Sequence, residues 1–389
     1  MERSGPTRLA SRPGLSRVRT AQASHDDPRA LDRLAESLGD DLAFLSLFVS
    51  PEADFAALMG AATRRFPDAV VTGCTTAGEI GAAGYAEGAI VAVGLPRDHF
   101  VAVPLLIPDL DSLDGQALVG DIIRARTALM SQEPRWNREF AFLLVDGLSV
   151  REDELVATLA AGLGPVPLFG GSAGDGHRFG ETLVALGGEV LRHAAVLCMI
   201  RTDCEVEVFT LNHLRPGNTR MVVTEADPGR RVVRQINAEP AAREYARVLG
   251  KDPEQLSTFT FAAHPVVVRF GGTHHVRAIQ RMLDNGDLVF FSAIDEGLVL
   301  TLAEPEDMAA HLDRELGRIG RGREPEAIWV CDCILRRVEA EQTQQTRAVS
   351  AVLARNRVVG FSTYGEQFNG MHVNQTMTGI AIFAPEGED

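Results

Sequence analysis

At 389 residues and a formal net charge of −15, the chain is long enough for more than one core and too acidic to favour a phosphodiester partner. Hydrophobic residues at 45% and charged residues at 23% are ordinary globular values, which exclude a mostly disordered chain. The longest apolar runs, LAFLSLFV (42–49) and AAVLCMI (194–200), fall far short of the ~20 residues of a membrane helix.

In chain order, residues 1–15 are rich in Arg, Ser, Pro and Gly with no apolar stretch, and read as a flexible tail and not as a signal peptide. LAFLSLFV predicts a strand, EADFAALMGAATRRF (52–66) a helix with Phe55, Leu58, Met59 and Ala62 at helical spacing, and AVVTGCTTAGE (69–79) a second strand ending in a turn. The order then repeats. FAFLLVDG (140–147), REDELVATLAAGL (151–163) with Leu155, Val156 and Leu159 on one face, and PVPLFGGSAGD (165–175) form a second copy. AIWVCDCILRR (327–337), EAEQTQQTRAVSAVLA (339–354) and RVVGFSTYGE (357–366) form a third. Phe44 to Glu79 and Phe140 to Asp175 each span 36 residues and Ile328 to Glu366 spans 39, lengths that suit a strand–helix–strand crossover.

Further strand-like runs follow each copy: AIVAVGL (89–95), TLVALGG, AAVLCMI and VEVFTL (182–211), and TGIAIFA (378–384). NAEPAAREYARVLG (237–250) predicts a helix with Asn237 as cap and Gly250 as stop. The expected fold is therefore α/β, mixed: two related domains, each a mixed sheet flanked by helices, spanning 16–235 and 236–386.

Each copy ends in [ST]-x-G-[DE]. The hydroxyls of Thr76, Ser172 and Thr363 and the carboxylates of Glu79, Asp175 and Glu366 can accept backbone N–H groups and fix the turns. The same turns would line a crevice at the carboxyl ends of the strands, where open α/β sheets bind ligands. Paired hydroxyls and carboxylates there would suit a small polar ligand such as an amino acid.

No P-loop or H-E-x-x-H occurs, and no nucleophile stands beside an assembled base, so the chain does not read as an enzyme. Five cysteines, an odd number, fit a reducing compartment, and the expected location is the cytosol. Cys331 and Cys333 flank Asp332 on a strand and point to one face, an arrangement open to thiol or zinc chemistry as well as to plain burial. His264, between two strand-like runs, and His372, just after the third turn, are the candidate imidazole ligands.

VVTGCTTAGEIG, PLFGGSAGDG, INAEPAAREYARVLG, HHVRAIQRMLDNGDLVFFSAIDEGLVLTLA and VVGFSTYGEQFNGMHVNQTMTGIAIF together resemble the FIST family of signal-transduction sensors, over roughly residues 20–385. That resemblance implies an N-terminal and a C-terminal FIST domain meeting near residue 236, and a ligand sensor that is not itself an enzyme. AAHPVVVR, CDCILRR and FSTYGEQFNGMHVNQT are more similar to the nitric-oxide-sensing haem proteins within that family. The likeness implies a non-covalent haem b on His264, with His372 as second choice, a diatomic gas as ligand, and a separate histidine kinase or cyclic-di-GMP synthase or phosphodiesterase as partner.

Overall fold

Leu42–Val49 and Val70–Thr75 run parallel, Phe44 opposite Val70, joined by helix Phe55–Arg65. Asp54 starts that helix by accepting the Ala57 N–H, and Phe55, Met59 and Ala62 turn inward from it. This is the first of three such crossovers in the computed structural model, which describes residues 16–385; the expected tail, 1–15, lies outside them. Arg138–Val145 and Leu168–Ser172 are joined by helix Glu152–Leu163, and Ala327–Cys333 and Val358–Thr363 by a helical stretch, again in parallel pairs.

Around each crossover the same parts recur. An edge strand precedes it (Arg19–Ser24, Phe100–Ile107 and Glu205–Leu211), a short hairpin follows it, and a return strand (Ala89–Pro96, Ala195–Thr202 and Met377–Phe383) closes the unit. Each unit's sheet runs edge, return, first crossover strand, second crossover strand, and then a hairpin belonging to another unit. The first unit's hairpin, Glu79–Gly81 with Gly84–Ala86, joins the third sheet. The second unit's, Val184–Leu186 with Glu189–Leu191, joins the first sheet, and the third unit's, Glu366–Phe368 with Met371–Val373, joins the second. Three six-stranded sheets are thus locked in a ring by exchanged hairpins.

The inner faces of all three sheets meet in one aromatic core. The Trp329 ring lies 4.1 Å from Phe142, 5.0 Å from Phe169, 6.0 Å from Phe44 and 6.1 Å from Phe48, and Phe48 stacks on Phe361 at 4.5 Å. Each unit contributes, which makes the core the physical reason that the ring closes.

Between the third unit's edge strand and its next helix, Met308–Leu316, the chain leaves the ring and builds an eight-stranded sheet running from Leu214–Asp227 to Val299–Pro305, its ladders antiparallel. Helices Ala241–Leu249 and Thr258–Ala263 accompany it. The expected boundary near residue 236 falls inside this insert, at the end of strand Val232–Ile236. Sheet pairs such as Glu205 with Phe383 cross it, so the two halves share strands.

Two local expectations are corrected. Asn237 does not cap a helix: the helix starts at Ala241 after Pro240, while Asn237, at φ 53°, accepts the Val222 N–H and donates to Glu244 at 2.8 Å. Gly250 is the predicted left-handed stop, at φ 66°. ILRR is helix and not strand, and the polar stretch after it is two helices, Ile334–Gln342 and Thr346–Arg355, broken where Gln344 turns to φ 58°.

Candidate functional site

The three bends at the ends of the crossovers meet. Gly174 N–H donates to the Thr75 carbonyl (3.0 Å), Ala77 N–H to Ser362 (2.9 Å), Ser362 N–H to Gly78 (2.7 Å), and Ser172 N–H to Gly365 (2.8 Å). Every pair of bends is therefore tied by main chain. Close approach demands small residues here: a Cβ on Gly171 would stand 2.6 Å from Thr363 Cγ2 and 3.0 Å from Cys331 Sγ.

The six expected crevice residues are all buried, and most of their polar atoms are engaged within the bends. Thr76 donates to Glu79 Oε1 (2.5 Å), whose other oxygen accepts the Ala89 N–H (3.1 Å). Thr363 donates to Glu366 Oε1 (2.6 Å), whose other oxygen accepts the Thr376 hydroxyl (2.7 Å) and N–H (3.2 Å). Asp175 accepts the N–H groups of Phe179 (2.9 Å), Gly180 (2.8 Å) and Glu181 (2.8 Å) together with the Tyr364 hydroxyl. Their first use is to hold the bends. The single crevice expected from the sequence is divided: Thr76, Glu79 and Asp175 border an open cleft of about 580 Å³ with His25, Glu52 and Arg337. Ser172, Thr363 and Glu366 are not among its lining.

The insert closes over the second and third bends. Phe291 packs against Phe179 (5.8 Å) and Tyr364 (6.0 Å), and Arg231 pairs with Glu152 (2.8 Å) and Asp153 (2.9 Å) of the ring. A cavity of about 380 Å³ remains between the two bodies, lined by Gly147, Leu148 and Phe179 on the ring side and by Arg230, Arg231 and Phe291 on the other. Beside it, His372 reaches the Phe291 carbonyl (3.4 Å) and Gln375 donates to the Ala262 carbonyl (3.0 Å).

This joint is rich in buried polar atoms without a partner: Gln367 Oε1, both amide atoms of Asn374, Gln375 Oε1, Ser292 Oγ and Arg277 Nε. Asn374, Gln367 and Gln375 are wholly buried. Leaving such groups unpaired costs about 1–3 kcal/mol each, a cost that water or another molecule's donors and acceptors would remove; these side chains stand behind the lining of the 380 Å³ cavity and not in it. Burial pushes Arg277 below the usual guanidinium range, with neighbouring Arg231 adding to the shift and Asp153 opposing it. None of these side chains was singled out from the sequence; the available signal was HVNQT, a run of amides inside an otherwise strand-like stretch.

Burial also raises Glu366 to about 8 despite its hydroxyl donors, so it is largely protonated at neutral pH. A carboxyl raised in the fold above its ordinary 4.5 stabilises the protein fully below 4.5, and that contribution is lost as pH rises toward 8. His311, lowered to about 4 chiefly by burial, acts oppositely: its contribution is complete above 6.5 and is lost as pH falls toward 4. The two trends oppose one another between 4.5 and 6.5. Between pH 6.5 and 8 the Glu366 slope stands without that opposition, and Glu366→Gln is expected to flatten a fall in urea midpoint across that window.

The imidazoles and thiols do not assemble. His264 closes helix Thr258–Ala263, half-buried, its carbonyl held by the Tyr245 hydroxyl (2.6 Å). Burial, and then Lys251, lowers its basicity. His372 is buried with both ring nitrogens in contact, Nδ1 with Gln367 at 3.3 Å and Nε2 with Phe291. Neither lines the bend cleft, the joint cavity or three other surface cavities of about 670 to 1070 Å³. In this conformation the two imidazoles do not fit an axial bond to a haem, which needs an apolar slot beside the ring. Cys331 packs in the aromatic core and Cys333 against Tyr364, both fully buried with thiols pushed up by burial, which removes the reactive thiolate. Among the described residues, His264, Cys331 and Cys333 do not form a metal-ligating group.

The described residues thus form a ring of three exchanged sheets on which an inserted sheet docks through a polar joint. The chain belongs to the FIST family of signal-transduction sensors: the FIST N domain matches residues 43–239 and the FIST C domain residues 241–369. FIST domains are sensory domains that bind small ligands and are not catalytic ones. No curated protein matches the chain. Among the described residues no helix is long and apolar enough to cross a membrane.

Proposed function

We propose that this FIST protein senses a small polar molecule, an amino acid or a close amide-bearing relative, at the joint between ring and insert. The observation that carries the reading is the set of unpartnered buried atoms on Gln367, Asn374, Gln375, Ser292 and Arg277. They offer carbonyl and hydroxyl oxygens to an ammonium or amide N–H group, and amide and guanidinium N–H groups to a carboxylate. Such chemistry is poor company for an apolar macrocycle. A ligand bridging Asn374 on the ring and Ser292 on the insert stabilises the docked arrangement over any other, and that difference is what a partner reads. From the family's signalling role, the partner is taken to be a separate histidine kinase or a cyclic-di-GMP synthase or phosphodiesterase.

A thermal-shift screen of the purified chain against the amino acids tests this. One chemical class is expected to raise the melting temperature, and Asn374→Leu, which fills the site with an apolar side chain, to abolish that shift. No shift with any amino acid, or a shift kept in Asn374→Leu, rejects the joint as the site. A Soret band on fresh or haem-reconstituted protein, moved by nitric oxide and lost in His264→Ala, would replace this reading with haem-based gas sensing.

A further inference from the structure

His99 lies in the turn between Ala89–Pro96 and Phe100–Ile107, and Asp203 and Cys204 in the turn between Ala195–Thr202 and Glu205–Leu211. The strands flanking these turns pair antiparallel with Phe100 opposite Thr202, which brings both turns to the same end of one sheet. The first turn passes the chain from the first unit to the second, and the other from the second to the third. His99 Nδ1 is 3.0 Å from Asp203 Oδ1 and 3.3 Å from Oδ2. One ligand atom from each of His99, Asp203 and Cys204 lies within 4.8 Å of the other two, the only such group among the described residues.

We propose that His99, Asp203 and Cys204 form a zinc site that staples the two inter-unit turns together. Zinc bonds of about 2.0–2.1 Å to nitrogen, 2.0–2.2 Å to oxygen and 2.3 Å to sulfur place tetrahedral ligands roughly 3.3–3.7 Å apart. The present separations need to change by about 1 Å at most, within the reach of side-chain rotation at His99 and Asp203, which are 25% and 30% exposed. Imidazole, thiolate and carboxylate together select zinc over calcium or magnesium, which take oxygen ligands. The buried thiol supplies the closed side and water completes the coordination on the exposed side. On binding, the Cys204 proton passes to solvent, the proton that His99 Nδ1 donates to Asp203 is given up while Nε2 takes one from solvent, and the metal takes the place of that hydrogen bond. Arg17, the cation felt at Cys204, is itself paired with Glu326 at 2.9 Å.

The test is zinc titration of the full chain, stripped with a chelator, in competition with a chromophoric zinc chelator, alongside cobalt substitution. A single tight zinc per chain is expected, with a cobalt–thiolate absorption band. Cys204→Ser should remove that band, and His99→Gln should weaken zinc by at least about tenfold. Should Cys204→Ser fail to fold, His99→Gln, a change at a part-exposed turn residue, decides the matter. No zinc uptake, or uptake unchanged in His99→Gln, overturns the site.

Discussion

Replacing Arg336 with methionine is expected to destabilise the protein by about 3–5 kcal/mol, read as a fall in the urea unfolding midpoint. Arg336 and Asp332 are both fully buried, 2.7 Å apart, and the Tyr85 hydroxyl donates to the other Asp332 oxygen at 2.6 Å. Arg336 also donates to His213 Nδ1 (2.7 Å), which fixes the tautomer so that Nε2–H donates to Glu339 (2.9 Å). Losing the guanidinium leaves Asp332 as an uncompensated buried charge. The double variant Asp332→Asn with Arg336→Met removes both charges and should regain most of the loss, because the amide oxygen introduced by the first change can still accept the Tyr85 hydroxyl. A double variant as unstable as the single one would contradict this account.

The network also stands at the foot of the insert. His213 precedes the insert's first strand, and its carbonyl accepts the N–H of Glu306, just after the last (2.8 Å). Both ends of the insert are thus anchored on a buried ionic cluster that includes Tyr85, from the first unit's exchanged hairpin. A shift of the insert at its joint with the ring would be felt here.

Trp329→Ala is expected to cost about 3–5 kcal/mol, because it opens a cavity where aromatic side chains from all three units meet. Trp329→Phe should recover most of that. The indole Nε1 has no hydrogen-bond partner, so phenylalanine keeps much of the packing and removes an unsatisfied donor. Thermal unfolding followed by far-ultraviolet circular dichroism distinguishes the two, and equal losses would show that packing volume at the axis is not what matters.

Much of the ring was legible in the sequence because its signals are local. The run at 42–49, residues 140–145 of the run at 140–147 and residues 327–333 of the run at 327–337 are strands, the periodic faces of Phe55, Met59 and Ala62 and of Leu155, Val156 and Leu159 are buried helix faces, and the repeated [ST]-x-G-[DE] phrases are bends that touch one another. The exchange of hairpins was not legible. Each hairpin arm is three residues long, and its partner lies at a sequence distance that no periodicity records. The site was half legible. His372 and Glu366 were visible as neighbours of the third bend, but the pairing of His372 and Gln375 with an insert that folds over them depends on a tertiary contact between distant segments. The amides looked like ordinary strand polarity until the insert covered them.

The exchanged hairpins set a timetable for biosynthesis. Ile80 pairs with Gly360, 280 residues further along, so at roughly 5–20 residues per second a nascent first unit waits on the order of 15 to 55 seconds on the ribosome before its hairpin has a sheet to join. A gene split at the family boundary near residue 240 would yield two fragments, each missing a strand pair that the other carries, and co-expression would restore what neither can fold alone.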